Sequence, residues 1–166
     1  MKTIAISCLI LLLCAVLYTA AVLARRHYRR MRSIISIRES VSLVNMPVVT
    51  FMQGDTKLKF LLDSGSDSNV ICKDTLQKGL SCTMSDEKMR ISGVTGENNI
   101  SERGVNIPFT YDSLKFKTVL FPVDRGSAFD DLESKTGVRI DGILGTPFMV
   151  AYKYIIDFNE LKVKIK

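Results

Sequence analysis

Phe60-Leu61-Leu62-Asp63-Ser64-Gly65-Ser66-Asp67-Ser68-Asn69-Val70-Ile71 sets an acid, a hydroxyl and a glycine between two apolar arms. The arms have the length and residue types of buried strands and the centre those of a tight turn, so a carboxylate is displayed at a strand end. The glycine two positions after the acid lets the backbone adopt φ > 0 or pass close to another segment. The hydroxyl between them can bond a neighbouring loop. Asp, Ser and Gly are also ordinary turn residues, so the tripeptide alone is compatible with a plain strand end. Its surroundings decide between the two.

With 166 residues and an apolar fraction of 46%, the chain allows one modest domain plus extras. The net charge of +6 owes five units to Arg25, Arg26, Arg29, Arg30 and Arg32, and the remainder is nearly neutral. A basic groove for nucleic acid is therefore not expected. His27 is the single histidine and lies in the arginine cluster, which removes Ser-His-Asp and Cys-His mechanisms. Cys8, Cys14, Cys72 and Cys82 have no metal-ligand spacing with it, so neither a metal nor a cofactor is expected. Hydrolytic chemistry here would rest on carboxylates.

Working outward toward the N-terminus, Thr3 to Ala24 carries no charge. A run of ~22 apolar residues at 1.5 Å each is enough to cross a ~30 Å hydrocarbon core. Val22-Leu23-Ala24 would also pass as a signal-peptide cleavage site, but the basic residues follow the apolar run and only Lys2 precedes it. A single-pass anchor over residues 1–24 is expected, with the arginines holding the following domain on the cytosolic side. Residues 25–46 form a basic juxtamembrane linker, either lying on anionic headgroups or serving as a stop-transfer flank and tether. The domain proper is expected over residues 47–166.

The rest reads as mostly β with one or two short helices. Val41 to Val44, Val48 to Met52 and Leu58 to Leu62 are β-type runs, the last two joined by the turn residues Gly54-Asp55. Lys73 to Lys78 has the composition of a short helix closed by Gly79. Lys88 to Ile100 forms two extended arms around a tip with two glycines. Val105 to Tyr111 and Leu114 to Val123 are strands joined by Asp112-Ser113. Ser127 to Thr136 reads as a helix stopped by Gly137. After Ile140 to Leu144 comes Gly145, then a helix with Thr146 as cap and Pro147 at its first position. Tyr154 to Phe158 and Leu161 to Ile165 form a last hairpin over Asn159-Glu160.

The Leu61-to-Asp67 stretch, Val70-Ile71 after it and Ile143-Leu144-Gly145 nearer the C-terminus together resemble the retropepsin-like aspartic proteases, the single-domain bacterial and retroviral kind. The resemblance covers most of Val48 to Lys166. It implies a small closed β-barrel of the retropepsin-like acid protease type. Asp63, Ser64 and Gly65 would be the catalytic triplet, and Ile143, Leu144 and Gly145 the support of the catalytic loop. Asp67 would bind the substrate main chain, although its carboxylate is equally suited to capping its own turn. Gly93, Val94, Thr95 and Gly96 fall where the family has its flap, and an ordinary exposed hairpin has the same composition. Ser64 stands where Thr is commoner, and the motifs are spaced more widely than in the compact viral enzymes.

Aspartic proteolysis uses two carboxylates sharing one proton. No second signature is present: Asp124-Arg125-Gly126 puts arginine where the hydroxyl should be, and Asp112-Ser113-Leu114 lacks the glycine. The expected protein is therefore a membrane-anchored aspartic endopeptidase, working on peptide or protein substrates as a homodimer with one Asp63 from each subunit. The family's use of terminal strands makes Tyr154 to Ile165 the candidate interface. Two other classes fit the same residues: a non-catalytic dimerisation or peptide-binding module at the membrane, and an anchored scaffold in which Asp-Ser-Gly is only a turn.

Overall fold

The computed structural model describes residues 12–25, 34–91 and 100–165. The chain falls into two units, Met1–Ile34 and Ile35–Lys166. In the first, residues 12–25 form helix α1, on which Leu12, Leu13, Val16, Leu17, Tyr18 and Leu23 are exposed. Among the described residues no helix is long and apolar enough to cross a membrane. The described part of α1 would measure about 21 Å at 1.5 Å per residue. Residues 1–11, the first half of the expected anchor, lie outside the described residues.

The second unit is mostly β. Its strands are β1 (Ile34–Ser36), β2 (Val48–Gln53), β3 (Thr56–Leu62), β4 (Val70–Cys72), β5 (Thr83–Ile91), β6 (Ile100–Tyr111), β7 (Leu114–Val123), β8 (Gly142–Leu144), β9 (Tyr154–Asp157) and β10 (Lys162–Ile165). Helices α2 (Arg38–Val44), α3 (Lys73–Leu76), α4 (Ser127–Thr136) and α5 (Thr146–Ala151) fall between them. The larger sheet runs β2-β3-β8-β4-β7-β6-β5, and a β2–β6 pairing at Met52 and Thr110 closes the first six strands into a barrel. Strand β5 is added outside β6, and β1-β10-β9 form a separate three-stranded sheet.

The barrel follows from a two-residue alternation. Leu58, Phe60 and Leu62 of β3 are buried while Lys57 and Lys59 turn outward. Val105, Ile107 and Phe109 of β6 and Phe116 of β7 do the same. Inside, Phe51 meets Phe109 with ring centroids 4.8 Å apart and Phe116 at 5.4 Å, and Phe148 of α5 packs on Phe116 at 5.7 Å. These tilted and edge-on contacts suit the charge distribution of aromatic rings.

Three expectations need correction. Val41 to Val44 is helical, because Ile37, Val41 and Val44 face the interior at helical spacing and leave Leu43 exposed. Ile35, Ile37 and Val44 are buried, so residues 35–46 belong to the folded domain rather than to a linker. Thr146 does not cap the helix after Gly145: α5 starts at Thr146 itself, Gly145 is the N-cap residue, and the hydroxyl bonds elsewhere. By contrast, Gly137 does end α4 in the left-handed conformation at φ 69°, its N–H bonded to Glu133 O.

Strand β8 enters the barrel late in the sequence and lies between β3 and β4, parallel to one and antiparallel to the other. Gly142 makes this possible. A Cβ there would stand 2.2 Å from the Val70 carbonyl oxygen and 2.9 Å from Phe60 Cε1. Gly142→Ala is expected to destabilise the domain by about 2–3 kcal/mol in urea unfolding, the usual cost of overpacking. Gly126→Ser, at an N-cap with open space around it, should be neutral or stabilising by up to about 0.5 kcal/mol.

Candidate active site

Strand β3 ends at Leu62, and Asp63 begins the turn that leads to β4. β8 runs beside β3 with Leu61 opposite Ile143 and Leu62 opposite Leu144, and the parallel ladder continues as Asp63 N–H donates to Leu144 O at 3.1 Å. Two donors from the start of α5 then take the next carbonyls. Thr146 N–H donates to Ser66 O at 2.9 Å, and the Thr146 hydroxyl to Ser64 O at 3.1 Å. Between them Gly145 lies so close that a Cβ would stand 2.3 Å from Ser68 O and 2.6 Å from Ser66 O. Ile143, Leu144 and Gly145 thus lie directly against the Asp63 turn.

The turn also braces itself. Gly65 N–H donates to Asp63 Oδ1 at 2.8 Å and Ser66 N–H to Asp63 O at 3.2 Å. Asn69, buried at the far end, accepts Gly145 N–H at 2.9 Å and donates to Thr118 Oγ1 at 3.0 Å. It therefore ties the turn both to Gly145, between β8 and α5, and to β7. Sequence reasoning missed Asn69. Its signal was an amide directly ahead of three apolar strand residues, a place where a buried polar group must find partners.

Asp63 is half-buried, with Oδ1 held by Gly65 and no partner for Oδ2 among the described residues. Ser64 is exposed, and its hydroxyl finds no partner among the described residues either. Asp67 is exposed, with Oδ1 accepting the Ser68 hydroxyl at 3.0 Å. Gly65, Asp67, Thr146, Pro147, Val150 and Ala151 line an open groove of about 530 Å³ beside the turn. Gly93, Val94, Thr95 and Gly96 lie outside the described residues. The arms that carry them, β5 and β6, pair as far as Ile91 opposite Ile100.

Another acid, Asp141, sits at the opposite end of β8. It is 3% exposed and saturated with donors: Lys59 N–H at 2.8 Å, the Thr75 hydroxyl at 2.9 Å and Lys78 Nζ at 2.7 Å. Its backbone pairs with Lys59 O and Cys72 N–H. A carboxylate so committed is a structural pin and has no free oxygen for chemistry. Nearby, burial and then the Asp74 charge push the Cys72 thiol up to about 11, so it stays protonated and unreactive. Burial works against ionisation of Asp74, but its hydrogen bond and charge pairing with Arg139 outweigh this and hold its carboxyl below the usual range. No cluster of His, Cys, Asp and Glu that could hold a metal occurs among the described residues.

The arrangement presents one half-buried carboxylate with one oxygen anchored and the other without a partner among the described residues. Such a group can accept a proton from water or donate one, but an isolated copy lacks the partner acid that would polarise a carbonyl at the same time. No family model matches the chain, and no curated protein matches it. Among solved structures it is similar to the retroviral protease-like domain of Ddi1 from Leishmania major, with a TM-score of 0.44 and 12% identity over 73% of this chain and 93% of that one.

Proposed function

We propose that this chain is a membrane-tethered, retropepsin-like aspartic endopeptidase, active as a homodimer in which each subunit supplies one Asp63. The observation that carries the reading is the Asp63 turn: an acid with one oxygen fixed by Gly65, held from behind by β8 and Thr146, and with its other oxygen open. Two such acids ~3 Å apart would repel by roughly 5 kcal/mol at an effective dielectric of ~20 if both were ionised. The pair therefore keeps one proton and titrates as a unit. The ionised member takes a proton from water, the protonated one polarises the scissile carbonyl, and the water oxygen adds to the carbonyl carbon.

In this reading Asp67 and the Gly65 carbonyl bind the substrate main chain, and Gly93 to Gly96 close over it as a flap. Ser64, whose hydroxyl has no partner among the described residues, bonds across the two-fold to the second copy's turn. Thr3 to Ala24 anchors the chain, with the domain on the cytosolic side of the membrane where Arg25 to Arg32 stay. Neither metal nor cofactor takes part. Two chains confined to one bilayer meet at raised effective concentration, which favours assembly of the site.

Asp63→Asn preserves the Gly65 bond, since the amide oxygen still accepts it, but removes the titrating group. Peptide hydrolysis should fall by about 10³-fold or more with the mass in solution unchanged, measured on a broad peptide library from pH 4 to 8. A statine-type mimic of the tetrahedral intermediate should block the wild type. A dimer of wild-type chains that cleaves nothing under these conditions would favour a non-catalytic module instead. For the anchor, full-length chain should remain with membranes through an alkaline carbonate wash and deletion of residues 1–24 should release it. Release of the intact chain would remove the tether from the proposal.

A further inference from the structure

We propose that the second copy docks edge to edge on β9, about a two-fold axis centred on Ile155; the inference rests on the homodimeric reading and specifies its seam. Within the chain β10 has a neighbour on either side, β1 and β9. It is closed to a partner, which narrows the interface expected over Tyr154 to Ile165 to its first strand. The outer edge of β9 has no pairing among the described residues.

Exposed strand edges are ordinarily guarded by charge. The outer strand of the barrel sheet, β5, carries Asp86, Glu87 and Lys88 in succession, all exposed. β9 reads Tyr154-Ile155-Ile156-Asp157, with a charge only at its end. That charge is occupied by Lys164 Nζ at 2.7 Å and Glu160 N–H at 3.0 Å. Around this unguarded edge Val150 is 70% exposed, Ile155 41% and Phe158 59%.

The register follows from symmetry. In an antiparallel pair, residues directly opposite each other point to the same face. A two-fold perpendicular to the sheet keeps each subunit's faces as they are, so it must pass through a residue rather than between two. Centred on Ile155, it sets Ile155 against Ile155 and Tyr154 against Ile156 of the second copy. Centred on Ile156, it would press apolar Ile155 against Asp157. The occupant is a second copy because α5 connects this edge to the candidate site. Thr146 at its start bonds the Asp63 turn, and β9 begins just beyond its end at Ala151. A second copy seated on the β9 edge would lie next to the groove along Pro147, Val150 and Ala151, whose lining also includes Gly65 and Asp67 of the acid turn.

The test uses the full chain in detergent micelles, with dimer dissociation followed by analytical ultracentrifugation and folding by circular dichroism. Ile155→Lys and Ile155→Asp each place like charges directly opposite and should weaken the homodimer by about tenfold or more. An equimolar mixture of the two should recover affinity to within about threefold of wild type, because opposite charges then face each other. A wild-type chain that stays monomeric, an Ile155→Lys dimer as tight as wild type, or a mixture that does not recover overturns the seam. The two proposals fail separately. A dimer that responds as expected but cleaves no peptide removes the protease reading and leaves the seam. Wild-type cleavage undiminished in Ile155→Lys removes the seam and leaves the protease.

Discussion

The passage of β8 between β3 and β4 is the constraint on which the rest of the domain depends. Three residues, Gly142 to Leu144, supply the ladder on both sides, and only the missing Cβ of Gly142 lets the Val70 carbonyl and the Phe60 ring come as near as they do. Once the strand is seated, Leu144 O meets Asp63 N–H, Gly145 presses on the carbonyls of the turn, and α5 starts where Thr146 can reach Ser64 and Ser66. The position of the acid is therefore fixed by a segment far away in sequence. Its position is held by backbone contacts together with the Thr146 hydroxyl and the Asn69 amide.

Asp141 secures the other end of the same strand. A buried carboxylate is costly unless its oxygens are fully engaged, and here Lys59, Thr75 and Lys78 engage both. The donors come from β3, from α3 and from the residue two beyond α3, so the acid joins the elements on either side of β8 rather than bonding within one of them. Asp63 and Asp141 show how environment divides labour between two acids at opposite ends of one short strand. The saturated one holds the strand, and the other keeps one oxygen without a partner among the described residues. Arg139, with Nε buried and lacking a hydrogen bond, pairs with Asp74 and adds a second ionic layer behind the pin.

What was legible in the sequence was local. The acid turn, the helix over Ser127 to Thr136 and the alternating strands β3, β6 and β7 each carry their signal in consecutive residues, and the structure places them there. What was not legible depended on distant partners. Val41 to Val44 has β-type residues, but Ile37 and Val41 pack against the main core and Val44 against a second apolar cluster, which makes the segment a helix despite its composition. Thr146 sits at the place where a threonine normally caps, yet its hydroxyl donates to a carbonyl eighty-two positions earlier. Asn69 was passed over as one more polar turn residue, because its importance lies in three bonds, two to β7 and one to Gly145 at the start of α5, that no window around it contains.

The same division governs what one chain can do alone. The barrel closes on itself, its aromatic core is filled from within, and β10 is satisfied on both edges by its own chain, so folding does not wait for a partner. The proposed chemistry would, because a lone carboxylate offers no second acid with which to share a proton. Ser64 Oγ and Asp63 Oδ2 lack partners among the described residues, and both belong to the turn that the rest of the domain spends its tightest contacts in fixing. Ser64 is exposed and Asp63 half-buried, so a rigid mount for them adds little by itself to a monomer's stability. Under the proposed dimer, groups to meet them would arrive from outside, by a symmetry that supplies to each subunit what it offers to the other.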